Sequence, residues 1–599
     1  MNKTVQAKFE SRFQDFQQKN KTLKSLSNQY AWGRVLFFFA CIVLVVILAN
    51  NQIANGILPV IVVFLVGFVV LFRKHQKIKA EQQFNEAMAV INQEELDRLA
   101  GNFGSFETGE ELADPTHPYH TDLDIFGKYS IYQLTNRTST EFGKRYFSEW
   151  LSQPADKATI ASRQAAVKEL GPLLDYRQAL QAHGRAGQKE DASTRHLFDW
   201  IKEDSTIYTS TIYKLAAWVM PLLSIGSITL SSLGYVGIGV PFLVIVVNMV
   251  ILGSVFNRAK DIYLKTIGSN NALKAYEAQI RLTEVQAFSS PYLQQLRSRF
   301  VHDGAEASKI IKQLQFVLDN LHNRANLMYH IFNLLFILDV YWLIQAEKWK
   351  ENTKADIASW FETVGELECV SSLAAFHFAQ PDYTFPEISD TPYTIEGIGV
   401  GHPMIKAHNR VTNDFDFSGK GGICLITGSN MSGKSTFLRT VGVNAVLAQM
   451  GAPVCAKSFT VAPLQVFTSM RTQDDLEESV SSFYAELKRL KQLLGTIGQG
   501  LPVLFMVDEV LKGTNSEDRH KGAIALIRQL NKKEAFGFVS THDIGLGKIT
   551  NERAGVKNYS FNSIIEGDEI IFDYTLTEGI CKSFNATKLM QKMGIEIID

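Results

Sequence analysis

The sequence predicts a chain of two characters: an all-helical part carrying two apolar hairpins, then an α/β domain with a mostly parallel sheet. Three observations carry this. Two long stretches contain no charged side chain, the segments around them repeat apolar residues at helical spacing, and beyond residue 391 short β-rich runs alternate with helical ones.

Composition bounds the function classes first. The 599 residues suggest about four structural units. Lys plus Arg number 60 and Asp plus Glu 61, so no overall positive field holds the chain to nucleic acid. At 46% hydrophobic it is too apolar to be disordered, and at 20% charged it is charge-poor for a wholly soluble chain. The five cysteines (Cys41, Cys369, Cys424, Cys455, Cys581) lie far apart and form no CxxC pair. That argues against a disulfide scaffold and a thiolate zinc site, and fits a reducing compartment.

Residues 1–34 read as a polar helical arm, too polar and long for a cleaved signal. Val35 to Phe72 is a run of 38 residues without Asp, Glu, Lys or Arg, and Leu215 to Phe256 is a run of 42. A bilayer-spanning helix needs about 20 apolar residues, so each run holds two spans and a turn. Asn50, Asn51, Gln52, Asn55 and Gly56 mark the first turn; Ser231, Ser232, Gly234 and Gly237 mark the second. The hairpins are assigned to 35–73 and 211–257. Arg34, Arg73, Lys74, Lys77 and Lys79 flank the first, and Lys214, Arg258 and Lys260 the second, while the turns carry no Lys or Arg. By the positive-inside rule the expectation is a multi-pass protein of the cytoplasmic (inner) membrane, with both termini and the C-terminal domain cytoplasmic.

Between and after the hairpins, 74–128 reads as a charged helix followed by a Gly-, Pro- and His-rich linker from 101. Segments 129–210 and 258–390 read as two helical parts of one domain. A third apolar run, Ile331 to Ile344, is only 14 residues and contains Asn333 and Asp339; it is expected to be a buried soluble helix. From 391 to 599, GICLIT (422–427), PVLFMVD (502–508) and AFGFVST (535–541) read as strands of the parallel sheet.

The sharpest motif is Gly428-Ser429-Asn430-Met431-Ser432-Gly433-Lys434-Ser435-Thr436, which fits GxxxxGK[ST] between a strand and a helix. Glycines let the backbone curl so that amide N–H groups face phosphate oxygens, and the helix N-terminus adds its dipole. Lys434 is expected to neutralise β- and γ-phosphates and Ser435 to ligate Mg²⁺, so the cofactors expected are ATP and Mg²⁺. Asp508 and Glu509 end an apolar run, where α/β sheets bind ligands. Asp508 is assigned to the metal shell and Glu509 to polarising the attacking water. His542, after another apolar run, is assigned as a γ-phosphate sensor.

These residues together resemble the MutS family of mismatch-repair ATPases. GSNMSGKST is similar to that family's phosphate loop. Asp474-Asp475-Leu476-Glu477-Glu478-Ser479-Val480-Ser481-Ser482-Phe483-Tyr484-Ala485-Glu486 resembles its DDLxxGxSTFxxE segment. Lys512-Gly513-Thr514-Asn515 after the two acids, Ser540-Thr541-His542, and Tyr574-Thr575-Leu576 through Gly579 and Ser583 resemble further ATPase motifs. Upstream, Ser130 to Thr138 with Gly143 and Trp150-Leu151, then Glu366 to Ala374 with Tyr383 and Pro386, resemble the ends of the MutS core, and His402-Pro403 the entry to the ATPase. The resemblance implies a P-loop ATPase of ABC type after a MutS-core-like helical clamp. It also implies ATP hydrolysis across a homodimer in which Ser481 contacts the γ-phosphate of the other site, and a link to mismatched or structured DNA. Asp474, Asp475, Glu477 and Glu478 read better as a solvated acidic face.

The departures are specific. Ser479 and Leu511 stand where the family has glycine. Nothing before residue 120 resembles a mismatch-reading module, and the second apolar hairpin lies where the family carries its DNA clamp. The expected function is a membrane-anchored MutS-like ATPase linked to DNA mismatch repair. The alternative is a membrane mechanochemical ATPase acting on a protein or lipid partner with DNA binding lost. A transporter ranks last, since the spans carry no ionisable residue to line a path.

Overall fold

A computed structural model describes residues 3–187, 194–302, 304–471, 482–499, 502–551, 555–566 and 569–582. Helices α1 (Lys3–Asn50) and α2 (Ala54–Ala100) form one long hairpin closed by a three-residue turn with Gln52 in the left-handed region (φ 59°). Neither helix breaks where the apolar segment meets the polar one, so the arm expected at 1–34 is the first part of α1. Its polar end docks on the helical domain: Phe9 is buried with Leu174 and Phe378, and Arg12 pairs with Asp175 at 2.7 Å.

The helical domain comprises α3 (Ile131–Thr135), α4 (Glu141–Ser152), α5 (Lys157–Leu170), α6 (Leu174–Ala186), α7 (Arg195–Lys202), α8 (Thr211–Ser232), α9 (Gly239–Thr266), α10 (Asn270–Val285) and α11 (Pro291–Ser298). A minimal ribbon, β1 (Val301–His302) with β2 (Ala305–Glu306), precedes α12 (Ala307–His322), α13 (Leu327–Phe336), α14 (Leu338–Thr353) and α15 (Ile357–Ala379). Local chemistry sets several starts: Ser130, Thr140 and Asp156 accept from the amides of Gln133, Gly143 and Thr159, capping α3, α4 and α5. Helices α1, α2, α8 and α9 are long and apolar enough to cross a membrane by length and composition. Their apolar side chains face outward; Leu58, Leu222, Phe242 and Val250 are all exposed.

The run Ile331 to Ile344 departs from expectation. It is two helices, α13 and α14, bent by 83° at a break where Ile337 takes φ 44°. Ile331 and Phe332 are exposed rather than buried. A single helix would have put Asn333 and Asp339 on different turns; the break instead lets them bond each other.

One buried carboxylate ties the helical domain together. Glu368 of α15 accepts from the Ser139 hydroxyl (2.5 Å), the Thr140 amide (3.0 Å) and hydroxyl (2.7 Å), and the Gln279 amide nitrogen (2.8 Å). It thereby joins the start of α4, α10 and α15. Gly143 leaves room for it: a Cβ there would lie 2.1 Å from the Glu368 carboxylate.

The C-terminal domain holds β3 (Glu387–Ile388), β4 (Thr394–Val400), β5 (Asn413–Ser418), β6 (Ile423–Gly428), α16 (Lys434–Met450), β7 (Ser458–Val461), β8 (Gln465–Ser469), α17 (Ser482–Thr496), β9 (Val503–Asp508), α18 (Ser516–Lys532), β10 (Phe536–Thr541), β11 (Val556–Glu566) and β12 (Glu569–Glu578). The main sheet has the order β12-β11-β6-β10-β9-β8. Every neighbour in it is parallel except the β11–β12 pair. A second, four-stranded sheet, β3-β7-β4-β5, was not anticipated from the sequence.

The linker read as loop-like from 101 to 128 has one 3-10 turn, Glu110–Leu112, yet it is packed, with Phe103, Tyr119, Leu123 and Ile125 buried. It straps the two domains. Pro118 O accepts from the Thr468 amide and from Arg489, and Asp122 accepts from the amides of Met470 and Arg471.

Substituting Glu368→Ala strands the donors of Ser139, Thr140 and Gln279 in the core, and is expected to lower unfolding stability by about 3 kcal/mol. Thermal or denaturant unfolding of the purified chain measures it, and an unchanged midpoint would contradict the pinning role.

Candidate functional site

Three parallel strands end side by side. β10 lies between β6 and β9, pairing Thr541 with Thr427 and Ser540 with Asp508. Residues just past these ends, Gly428, His542 and Glu509, are therefore brought to one edge of the sheet. Burial dictates the strands: β6, β9 and β10 are buried at every position, as uninterrupted apolar runs require.

The loop from Gly428 to Gly433 curls into the N-terminus of α16. Gly433 sits at φ 106°, a conformation open to glycine, and Met431 takes φ 66° with its side chain exposed. Gly428 is needed for space, since a Cβ would lie 2.7 Å from Ser432 Oγ and 2.8 Å from Phe561 O. The loop borders a cavity of about 500 Å³, within the range of small-molecule sites. Asn430 through Thr436 and Glu509 line one side; His402, Asn413, Phe437 and Tyr574 are among those lining the rest.

Lys434 is 4% exposed and donates to the carbonyls of Gly428 (3.0 Å) and Ser429 (2.8 Å). Burial holds its ammonium below the usual lysine range. Ser435 donates to Asp508 Oδ2 at 2.6 Å, and Ser540 bonds the other oxygen of the same carboxylate. Glu509 accepts from His542 Nε2, while His542 Nδ1 lies 2.9 Å from Gly428 O and 3.3 Å from Lys434 Nζ. The hydrogen bond from His542, with His542, Lys512 and Lys434 nearby, brings the Glu509 carboxyl down to about 2 against the attraction of burial for the neutral form. Lys434, Ser435, Asp508, Glu509 and His542 thus form one connected cluster.

The cluster fits an anionic ligand with a hard cation. Ser432 Oγ is buried and has no hydrogen-bond partner among the described residues, at the mouth of a loop of backbone amides. The Ser435 hydroxyl and Asp508 carboxylate already meet, and offer oxygen donors of the type magnesium takes. Ser481, Asp474, Asp475, Glu477, Glu478 and Ser583 lie outside the described residues.

Two features were only partly legible beforehand. Leu511, standing where a glycine is usual, takes φ 59°, the conformation that favours glycine, and Glu509 takes φ 57°. Glu486 of α17 holds this turn by accepting from the amides of Leu511 and Lys512, which explains the acid in that segment. Asn413 is the second. It donates to Tyr574 O (3.2 Å) and accepts from the Leu576 amide (2.7 Å), pinning β12 beside the cavity; a lone Asn in a polar strand carries no motif.

A family profile described as MutS domain V matches residues 424–595, the stretch that holds the whole cluster. That stretch is similar to domain V of the MutS family. The chain is 31% identical over 235 residues to MutS protein homolog 4 of Mus musculus, covering 37% of this chain and 24% of that relative. It is 31% identical over 241 residues to the DNA mismatch repair protein MutS of Thermotoga neapolitana, covering 39% of this chain and 29% of the relative. With the DNA mismatch repair protein MutS of Listeria welshimeri, 26% identity extends over 337 residues, 54% of this chain and 35% of the relative. The chain therefore spans about a quarter to a third of the length of these MutS relatives.

Glu509 has a folded-state value near 2 against an ordinary 4.5, so it stabilises the fold above pH 4.5, and that contribution is lost as pH falls towards 2. His542→Ala removes the main cause. The Tm of the variant is expected to fall less steeply than that of the parent across this window, and parallel pH profiles would show the pair to be unformed.

Proposed function

We propose that this chain is a membrane-anchored MutS-like ATPase that hydrolyses ATP with Mg²⁺ and uses the cycle to move a helical clamp. The observation that carries it is the convergence of Lys434, Ser435, Asp508, Glu509 and His542 on one glycine loop at a helix N-terminus.

Magnesium-bound ATP would supply a scissile phosphoanhydride and its charge balance. The chain's own groups have distinct work. The loop amides and α16 dipole hold phosphate oxygens. Lys434 exchanges its carbonyl partners, Gly428 and Ser429, for anionic oxygens. Ser435 and Asp508 hold the metal side, and Glu509, ionised at neutral pH, orients water and takes its proton. His542, touching Glu509, Gly428 O and Lys434, is suited to report whether the γ-position is filled. By family, two chains form a homodimer and Ser481 completes the opposite site.

The membrane reading is supported by four long apolar helices whose hydrophobic side chains stand exposed along their outward faces. Because α9 continues unbroken from its apolar part into the helical domain, a change in that domain bears on the membrane segment. DNA is the partner implied by relatives named as DNA mismatch repair proteins. A second reading, in which the partner is protein or lipid and DNA binding is lost, is favoured by one observation: the hairpin α8–α9 stands in the middle of the clamp region, and its uncharged surface cannot hold phosphates.

Lys434→Ala and Glu509→Gln are each expected to lower ATP turnover by about a hundredfold or more, with Glu509→Gln still binding ATP; unchanged hydrolysis would refute the site. Mixing Ser481→Ala with Lys434→Ala chains should restore only the turnover that shared sites permit. Binding of duplex and mismatched DNA is read as log K against log salt. A slope of about −0.9 per phosphate contact supports DNA engagement, and a flat line selects the second reading. In alkaline carbonate the chain is expected to stay with the membrane pellet, and release would remove the anchor.

A further inference from the structure

The bent pair α13–α14 belongs neither to the cluster nor to the hairpins, and its polarity is inverted. On α13 the polar side chains Tyr329 and Asn333 point inward, bonding Asp339 at 2.8 and 2.9 Å, and Arg324 pairs with the same carboxylate at 3.0 Å. Outward it exposes Met328, Ile331 and Phe332, with His330 the polar residue among them. A helix in water shows the opposite arrangement.

Contacts with α9 give the depth of this pair. Near the cytosolic end of the apolar segment, Arg258 lies 3.4 Å from the buried Glu347 of α14. Ten residues earlier, Asn248 donates to the carbonyls of Leu334 (2.9 Å) and Leu335 (3.3 Å) at the end of α13, and to Ser224 of α8 (3.1 Å). Ten residues of helix span about 15 Å, roughly half of a hydrocarbon core. Arg324, in the 3-10 turn that precedes α13, lies over Phe256, back near the level of Arg258. The chain therefore descends along α13, turns at Ile337 about halfway into the hydrocarbon layer, and climbs out along α14.

Such a turn is tolerable in lipid only if its freed backbone groups are satisfied by protein. Around the break, Asn248 serves the carbonyls of Leu334 and Leu335, the Ile337 amide donates to Asn333 O, the Asp339 amide donates to Asn333 Oδ1 at 2.8 Å, and the Val340 amide donates to Ile337 O. Where α14 leaves this layer, a groove of about 990 Å³ between α12 and α14 carries Phe316 and Trp342 with Lys309, Lys312 and Lys348. Aromatic rings below amines are the pattern of a membrane–water interface.

We propose that α13–α14 is a re-entrant element dipping into the cytosolic leaflet, latched by Asn248, with Met328, Ile331 and Phe332 against lipid acyl chains. This rests on α8 and α9 spanning a bilayer. It adds a lipid contact inside the helical domain that the four spans do not provide.

The test replaces Phe332 with the photoreactive p-benzoylphenylalanine, close to it in shape, in the full chain in native membranes. Leu222 of α8 and Ile398 of β4, both exposed, receive the same probe. After irradiation, mass spectrometry is expected to find phospholipid adducts at 332 and 222, each about tenfold above 398. Ile331 serves as a second position should the first variant not accumulate. In addition, Asn248→Leu is expected to lower the adduct at 332 severalfold while leaving 222 unchanged. Adducts at 222 with none at 332 or 331, or cross-links there to a polypeptide, overturn the re-entrant element and leave the spans standing. Absence of lipid at both 222 and 332 removes the membrane reading itself.

Discussion

Parallel in-register pairing of β6, β10 and β9 is the constraint on which the site depends. Strand ends that stop level carry Gly428, Glu509 and His542 to one edge, where a few ångströms decide whether charges meet. The buried, two-sided packing of these strands leaves no freedom of register, because a shift by one residue would invert every side chain. Asp508 is then held between Ser435 and Ser540, and His542 bridges Glu509 and the loop. Strain sits where this precision is needed: Met431, Glu509 and Leu511 all occupy the left-handed region next to the cavity.

The same helix that presents the loop is anchored to the rest of the molecule. α16 packs on α4 and α5, and its Arg439 approaches Asp124 of the linker at 3.8 Å. Asp124 also takes Arg471 at 2.6 Å, beside the segment that leads to Ser481. The linker thus touches the loop helix and the edge strand β8 together. On its other side Glu95 holds Arg137 and Arg98 in a buried cluster, with the attraction of both arginines keeping its carboxyl below the usual range despite full burial. Rigid connections of this kind join the cluster to α2 and so to the first hairpin, a continuous physical route between them.

Much of the site was legible because its motifs are local. A glycine loop between a strand and a helix, and acids closing an apolar run, state their chemistry through spacing alone. Asn413 and the role of Glu486 were hidden, since each acts on backbone groups brought near by the sheet rather than by the chain. Leu511 shows the limit from the other side: the sequence marks an unusual residue at a glycine position, and only the fold shows that the unusual conformation is kept.

For the fold, hydrophobic patterning determined the helical hairpins with their turns, the α/β character after 391 and the parallel core of the main sheet, because burial along a continuous segment is written in consecutive residues. Tertiary structure alone decided the second sheet, the docking of a glycine- and proline-rich linker as a strap, the fusion of the polar arm with the first span, and the break at Ile337. Each of these depends on partners distant in the chain, Asn248 and Asp122 among them, and a pairing between distant residues leaves no periodic trace in either one's neighbours.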